Sequence, residues 1–168
     1  MSLVHPGTIL VVEDDCGYAI LITKALRRAH ITNPITTLHD GQDAVDLCCA
    51  TGQSTGGDLP LPLLMILDLR LPGLNGLHVL QRMQGEAQTR SLPVILVSAV
   101  ETPDDLAACQ ALGYTLCLTK PVLAAQLLGA IRQLGLGVSI VSRPYEKSAK
   151  TWSTHHSRPD ALGNVFHA

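Results

Sequence analysis

The chain has 168 residues, 46% hydrophobic and 15% charged, with a formal net charge of −2 and a mean hydropathy of +0.26. That apolar share excludes a disordered chain, and the length suits one domain of ordinary size with a short segment left over. Net acidity argues against non-specific nucleic-acid affinity as the main activity, and no run of about 18 uncharged apolar residues exists to span a membrane.

Residues 1–7 read as a short lead without the basic region and long apolar run of a signal peptide. Thr8 to Val12 is continuous and β-branched, which predicts a buried strand. A helix follows over about 16–29 with Asp15 as its N-cap, and Ile22, Leu26 and Ala29 recur on one face. Pro34 to Leu38 is a weaker strand, and a second helix opens at Asp40 or Gly41 and carries Ala44, Val45, Leu47 and Cys48. Thr51 to Pro62 is rich in Gly, Ser and Pro and reads as an exposed loop.

Leu63 to Leu67 is the strongest strand pattern in the chain. A turn holding Pro72, Gly73, Asn75 and Gly76 leads into a third helix over about 77–84. Pro93 to Val97 is a fourth strand, and a fourth helix over 103–112 has proline near its first turn. Thr115 to Leu118 is a fifth strand, and an amphipathic helix closes the series over 122–134. Five βα repeats with strands apolar on both faces predict an α/β fold, a doubly wound parallel sheet covered by helices, over residues 8–136.

Residues 137–168 lose this periodicity, and two readings stay open for them: a loosely ordered tail, or a segment packed through Trp152 and Phe166. Of the five cysteines (16, 48, 49, 109 and 117) none forms a CxxC pair, and most lie in apolar segments. Reduced thiols and a cytoplasmic setting are therefore expected. Cys48-Cys49 is expected to place one thiol inside and one at the helix edge.

The strand ends carry the chemistry. The first ends in Glu13-Asp14-Asp15, the third in Asp68, the fourth in Ser98, and the fifth runs into Thr119-Lys120-Pro121. In a doubly wound sheet these ends converge on one cleft. Three carboxylates packed together repel unless a cation balances them, and Mg2+ with oxygen ligands suits Glu13, Asp14 and Asp68. Lys120 adds a positive charge and Ser98 a hydroxyl, so the cleft is suited to an anion beside the metal. Attack by Asp68 on phosphorus, giving an aspartyl phosphate, is the chemistry this arrangement supports.

ILVVEDD (9–15), LMILDLRLPGLNGLHVL (64–80), PVILVSA (93–99) and LTKPV (118–122) together resemble the receiver domain of two-component response regulators. The four motifs stand in the right order and spacing over residues 8–136. The resemblance is strongest to the stand-alone receivers paired with phytochrome-type histidine kinases. It implies a flavodoxin-like sheet of strand order 2-1-3-4-5 with five flanking helices. It also implies Asp68 as phosphoacceptor, Asp14 as direct Mg2+ ligand, Glu13 acting through water, and the Arg70 backbone carbonyl completing the set. Ser98 would take the place of the switch hydroxyl, Lys120 would pair with the phosphoryl group, and the Lys120–Pro121 bond would be cis. Pro72 and Gly76 match the residues that shape the loop after the acceptor. Cys117 departs from the pattern, standing where an aromatic switch residue is usual.

The implied function is a single-domain response regulator, not a conventional enzyme. It would take a phosphoryl group from a histidine kinase or phosphotransfer protein and signal to a downstream protein. Homodimerisation through the face of helix four, strand five and helix five is a secondary expectation, and no nucleic-acid or membrane partner is expected. Two alternatives stand beside it. One is a phosphatase of the haloacid-dehalogenase type, disfavoured because its second acid would fall at Arg70. The other is a receiver-like scaffold that binds partners without phosphate.

Overall fold

The computed structural model describes residues 7–53, 61–99, 102–114 and 116–139. Its elements run β1 (Ile9–Val12), α1 (Cys16–Arg28), β2 (Ile35–Leu38), α2 (Gly41–Gln53), β3 (Leu64–Asp68), α3 (Gly76–Gly85), β4 (Val94–Ser98), α4 (Pro103–Ala111), β5 (Cys117–Thr119) and α5 (Ala124–Gln133). The five strands pair in parallel in the order β2-β1-β3-β4-β5.

Alternation along the strands divides the core into two layers. Leu10, Val12, Met65, Leu67, Val94 and Leu96 face one way and pack with Ala44, Val45 and Cys48 of α2 and Val79, Leu80 and Met83 of α3. Ile9, Val11, Leu64, Ile66, Ile95 and Val97 face the other way against Ile22 and Leu26 of α1 and Leu127 and Ile131 of α5. Every residue of β1, β3 and β4 is buried, whereas β2 is half-buried throughout, as an edge strand must be. That edge position explains the weak apolar signal at 35–38.

Asp15 caps α1 as the sequence predicts, its side chain accepting from the Tyr18 N–H at 2.8 Å. Thr102 caps α4 with Pro103 following, and Asn75 caps α3. The loop expected from Thr51 begins later, because α2 continues through Gln53. Propagating an established helix adds a hydrogen bond for each residue fixed, which outweighs the loop-like composition there. Residues 54–60 of that expected loop, and Thr115 of the expected fifth strand, lie outside the described residues.

After α5, Leu136 and Val138 pack against the α1/α5 layer. Ser139 O accepts from the Thr32 N–H at 2.8 Å, and the Ser139 N–H donates to Asn33 Oδ1 at 2.8 Å. Both readings of the segment beyond, with Trp152 and Phe166, concern residues outside those described. Cys48 is fully buried and Cys49 half-buried, as expected from their place on α2. Among the described residues no helix is long and apolar enough to cross a membrane.

Candidate functional site

Parallel strands bring β1, β3, β4 and β5 to the same edge of the sheet at their carboxyl ends, and the predicted residues meet there. One carboxylate oxygen from each of Glu13, Asp14 and Asp68 lies within 4.8 Å of the others. Asp68 ends β3 and is 4% exposed, Glu13 follows β1 and is 1% exposed, and Asp14 stands in the open.

Lys120 spans the two buried acids. Its Nζ donates to Asp68 Oδ2 at 2.8 Å and lies 2.7 Å from Glu13 Oε2. The second contact is an ion pair of about the same length, so one ammonium is shared between two buried carboxylates. Burial raises the Glu13 pKa above its ordinary value; the Lys120 ammonium opposes this shift and the Asp68 charge reinforces it. Burial works against the Lys120 charge as well. Its bonds to Asp68 and Glu13 outweigh that and hold its pKa above the ordinary lysine value.

The backbone fixes these groups. The Lys120 N–H donates to Ser98 O at 2.8 Å, which ties the residue after β5 to the end of β4. Ser98 is fully buried. The Arg70 N–H donates to Asp68 Oδ1 at 2.8 Å, so both carboxylate oxygens of Asp68 have a donor. The Lys120–Pro121 bond is cis, as the resemblance implies. Gly76 is required by close approach: a Cβ there would lie 2.4 Å from Asp68 O.

Three features of the site were not read from the sequence. The Tyr18 ring lies 4.2 Å from Lys120 Nζ, and its hydroxyl accepts from the Val122 N–H at 2.8 Å. His39 Nδ1 is 2.7 Å from Glu13 O, bracing the end of β1 against the residue after β2. The Arg70 guanidinium reaches Asp105 on α4. The available sequence signal for Tyr18 was its rarity: Tyr18 and Tyr114 are the two aromatic residues before position 140.

Three carboxylates against one ammonium leave the cleft negative. Such an oxygen-only set, part buried and part open, fits a hard divalent cation that keeps some of its water. The response regulator receiver domain family matches residues 9–132. The chain belongs to this family.

Receivers are signalling modules that bind Mg2+ at an acidic pocket and engage histidine kinases or phosphotransfer proteins. The receiver is 32% identical over 129 residues to the probable methanogenesis regulatory protein FilR2 of Methanothrix harundinacea, covering 77% of this chain and 81% of that one. Of the sensory/regulatory protein RpfC of Xanthomonas campestris, 38% identical over 82 residues, the chain spans only 11%. Among solved structures, the bacteriophytochrome response regulator AtBRR superposes with a TM-score of 0.70 at 30% identity, covering 83% of this chain and all of that one. The Mn2+-bound form of response regulator Rcp1 superposes with a TM-score of 0.63 at 27% identity, over 82% of this receiver and 100% of that chain.

Proposed function

We propose that this receiver is a phosphoacceptor switch in which Asp68 takes a phosphoryl group from a histidine kinase or phosphotransfer protein. The observation that carries the reading is the Lys120 ammonium, 2.8 Å from Asp68 Oδ2 within a cluster of three carboxylates. Here a lysine and a surplus of acid surround a single carboxylate at a strand end, which suits a group whose charge changes on reaction.

In this reading an oxygen of Asp68 attacks phosphorus while the phosphorus–nitrogen bond of a donor phosphohistidine breaks, and the imidazole leaves with the electron pair. Lys120 compensates negative charge on the phosphoryl oxygens, and Ser98 stands at the end of β4 as the switch hydroxyl. Asp14, Asp68, the Arg70 carbonyl, and Glu13 through water would hold Mg2+, which supplies further charge neutralisation when bound. Likeness to the Mn2+-bound Rcp1 form supports this assignment, and likeness to bacteriophytochrome response regulators supports a phytochrome-type kinase as donor. Output passes through the face of α4, β5 and α5, to a downstream protein or a second copy.

Intact mass after incubation with acetyl phosphate and Mg2+ tests the reading. Gain of one phosphoryl group, abolished by EDTA and by Asp68→Asn, is the expected result. No gain, together with no binding of beryllofluoride, would leave the phosphate-independent scaffold as the better account.

A further inference from the structure

We propose that Tyr18 is a positioning residue for Lys120, its ring holding the ammonium against Asp68 and its hydroxyl fixing the backbone that carries the lysine. The inference rests on the phosphoacceptor reading for its consequence, and on geometry alone for the placement.

Tyr18 is itself well placed. Its N–H donates to the Asp15 cap at 2.8 Å, which sets it in the first turn of α1, and its side chain packs partly buried on the α1/α5 layer. From there two contacts reach the loop after β5. The ring centroid is 4.2 Å from Lys120 Nζ, inside the roughly 6 Å range over which a ring quadrupole attracts a cation. The hydroxyl accepts from the Val122 N–H, two residues along the chain from the lysine. One side chain thus holds both the head group and the main chain of the segment 120–122.

Lysine needs such a device because its four-carbon stem leaves the head free to rotate among many positions. Two acids on one side attract the ammonium without deciding between them, since Nζ is 2.7 Å from Glu13 and 2.8 Å from Asp68. The ring adds a third contact to that head group. The Lys120 side chain is accordingly only 16% exposed. When a phosphoryl group replaces one acid oxygen as partner, a head group already in place has less freedom to lose.

The test uses the full chain with Tyr18→Leu, Tyr18→Phe and pentafluorophenylalanine at position 18. Leucine removes the ring, phenylalanine keeps it and releases the Val122 N–H, and fluorination reverses the quadrupole at nearly constant shape. Phosphorylation by acetyl phosphate with Mg2+ is expected to slow about fivefold with leucine and with the fluorinated ring, and less than twofold with phenylalanine. The Lys120 side-chain protons, shifted upfield by the ring in the wild type, are expected to lose that shift with leucine and keep it with phenylalanine. Equal rates for all four proteins would overturn the inference while leaving the phosphoacceptor reading intact. A wild type that takes up no phosphoryl group would instead sink that reading. The Lys120 shift then decides the placement by itself, and its absence in the wild type overturns the inference.

Discussion

Arg70 Nη2 lies 2.5 Å from Asp105 Oδ2, so the residue two places after the phosphoacceptor position is tied to the first turn of α4. The same Arg70 donates its N–H to Asp68 Oδ1, and one residue therefore joins the Asp68 carboxylate to a helix outside the cleft. Asp105 is further held by Thr102, whose hydroxyl donates to Asp105 Oδ2 and accepts the Asp105 N–H. The half-exposed guanidinium is thus anchored at one end by the α4 carboxylate.

Burial holds α4 least among the helices compared: Cys109 is its single buried residue, against four in α1 and three in α5. Arg70→Ala is expected to speed amide exchange in α4 severalfold, because helices with little buried area open at low free energy. Global stability should fall by less than about 1 kcal/mol, as for other exposed ion pairs. Hydrogen exchange with and without the substitution checks this, and unchanged protection in α4 would show that the ion pair does not hold the helix.

Gly76 gives a sharper case. A Cβ there would sit 2.4 Å from Asp68 O and 2.7 Å from Leu69 Cα, both backbone atoms that cannot swing aside. Gly76→Ala should destabilise the fold by about 1–3 kcal/mol, as overpacking does, and displace the strand end that carries Asp68. Urea unfolding paired with the phosphorylation rate reads both effects. A variant of wild-type stability and rate would mean that the loop after β3 yields at no cost.

The strands most legible in the sequence are those buried on both faces. Ile9–Val12, Leu64–Asp68 and Val94–Ser98 form continuous apolar runs because helices cover both sides of the sheet. Their polar endings could be read directly, and the parallel topology brings Glu13, Asp14 and Asp68 together. What a linear pattern does not carry is the rotation of one element against another. Tyr18 over Lys120 and Arg70 against Asp105 depend on how α1 and α4 seat on the sheet, and no spacing along the chain encodes that.

The departure at Cys117 also gains meaning from the fold. Cys117 pairs with Leu96 in the ladder and packs partly buried against the α2/α3 layer. Tyr114 precedes β5, and its hydroxyl is 3.1 Å from Gln84 Nε2 at the end of α3. This ring therefore stands at the opposite end of the strand from Ser98 and does not replace an aromatic at position 117.

Cys48 makes the alkaline limb of stability testable. Burial, reinforced by Cys49, pushes its thiol up to about 12 from an ordinary value of 9.0. A neutral thiol is favoured in the fold, so this stabilisation is full below pH 9.0 and is lost as pH rises towards 12. Within that window stability is expected to fall by as much as about 1.4 kcal/mol per pH unit from this group. Cys48→Ala should flatten that slope whatever its effect at neutral pH. The exposed Cys16 thiol should react with an alkylating reagent in the native state, while Cys48 reacts only on unfolding. Equal slopes for the two proteins would refute the assignment.

Divalent cation binding should appear as stability before any phosphoryl chemistry is attempted. A ligand that binds only the folded state stabilises by RT ln(1 + [L]/Kd), which is about 1.4 kcal/mol at ten times Kd. Mg2+ is expected to raise the unfolding midpoint and EDTA to restore it, because the cation relieves a cleft in which three carboxylates face one ammonium. Asp14 is the exposed member of the cluster, so Asp14→Asn should leave the metal-free protein nearly unchanged and remove most of the Mg2+ increment. An increment that survives Asp14→Asn would place the cation elsewhere. No increment in the wild type at millimolar Mg2+ would mean that Lys120 already compensates the acids, leaving the phosphoacceptor reading without its metal.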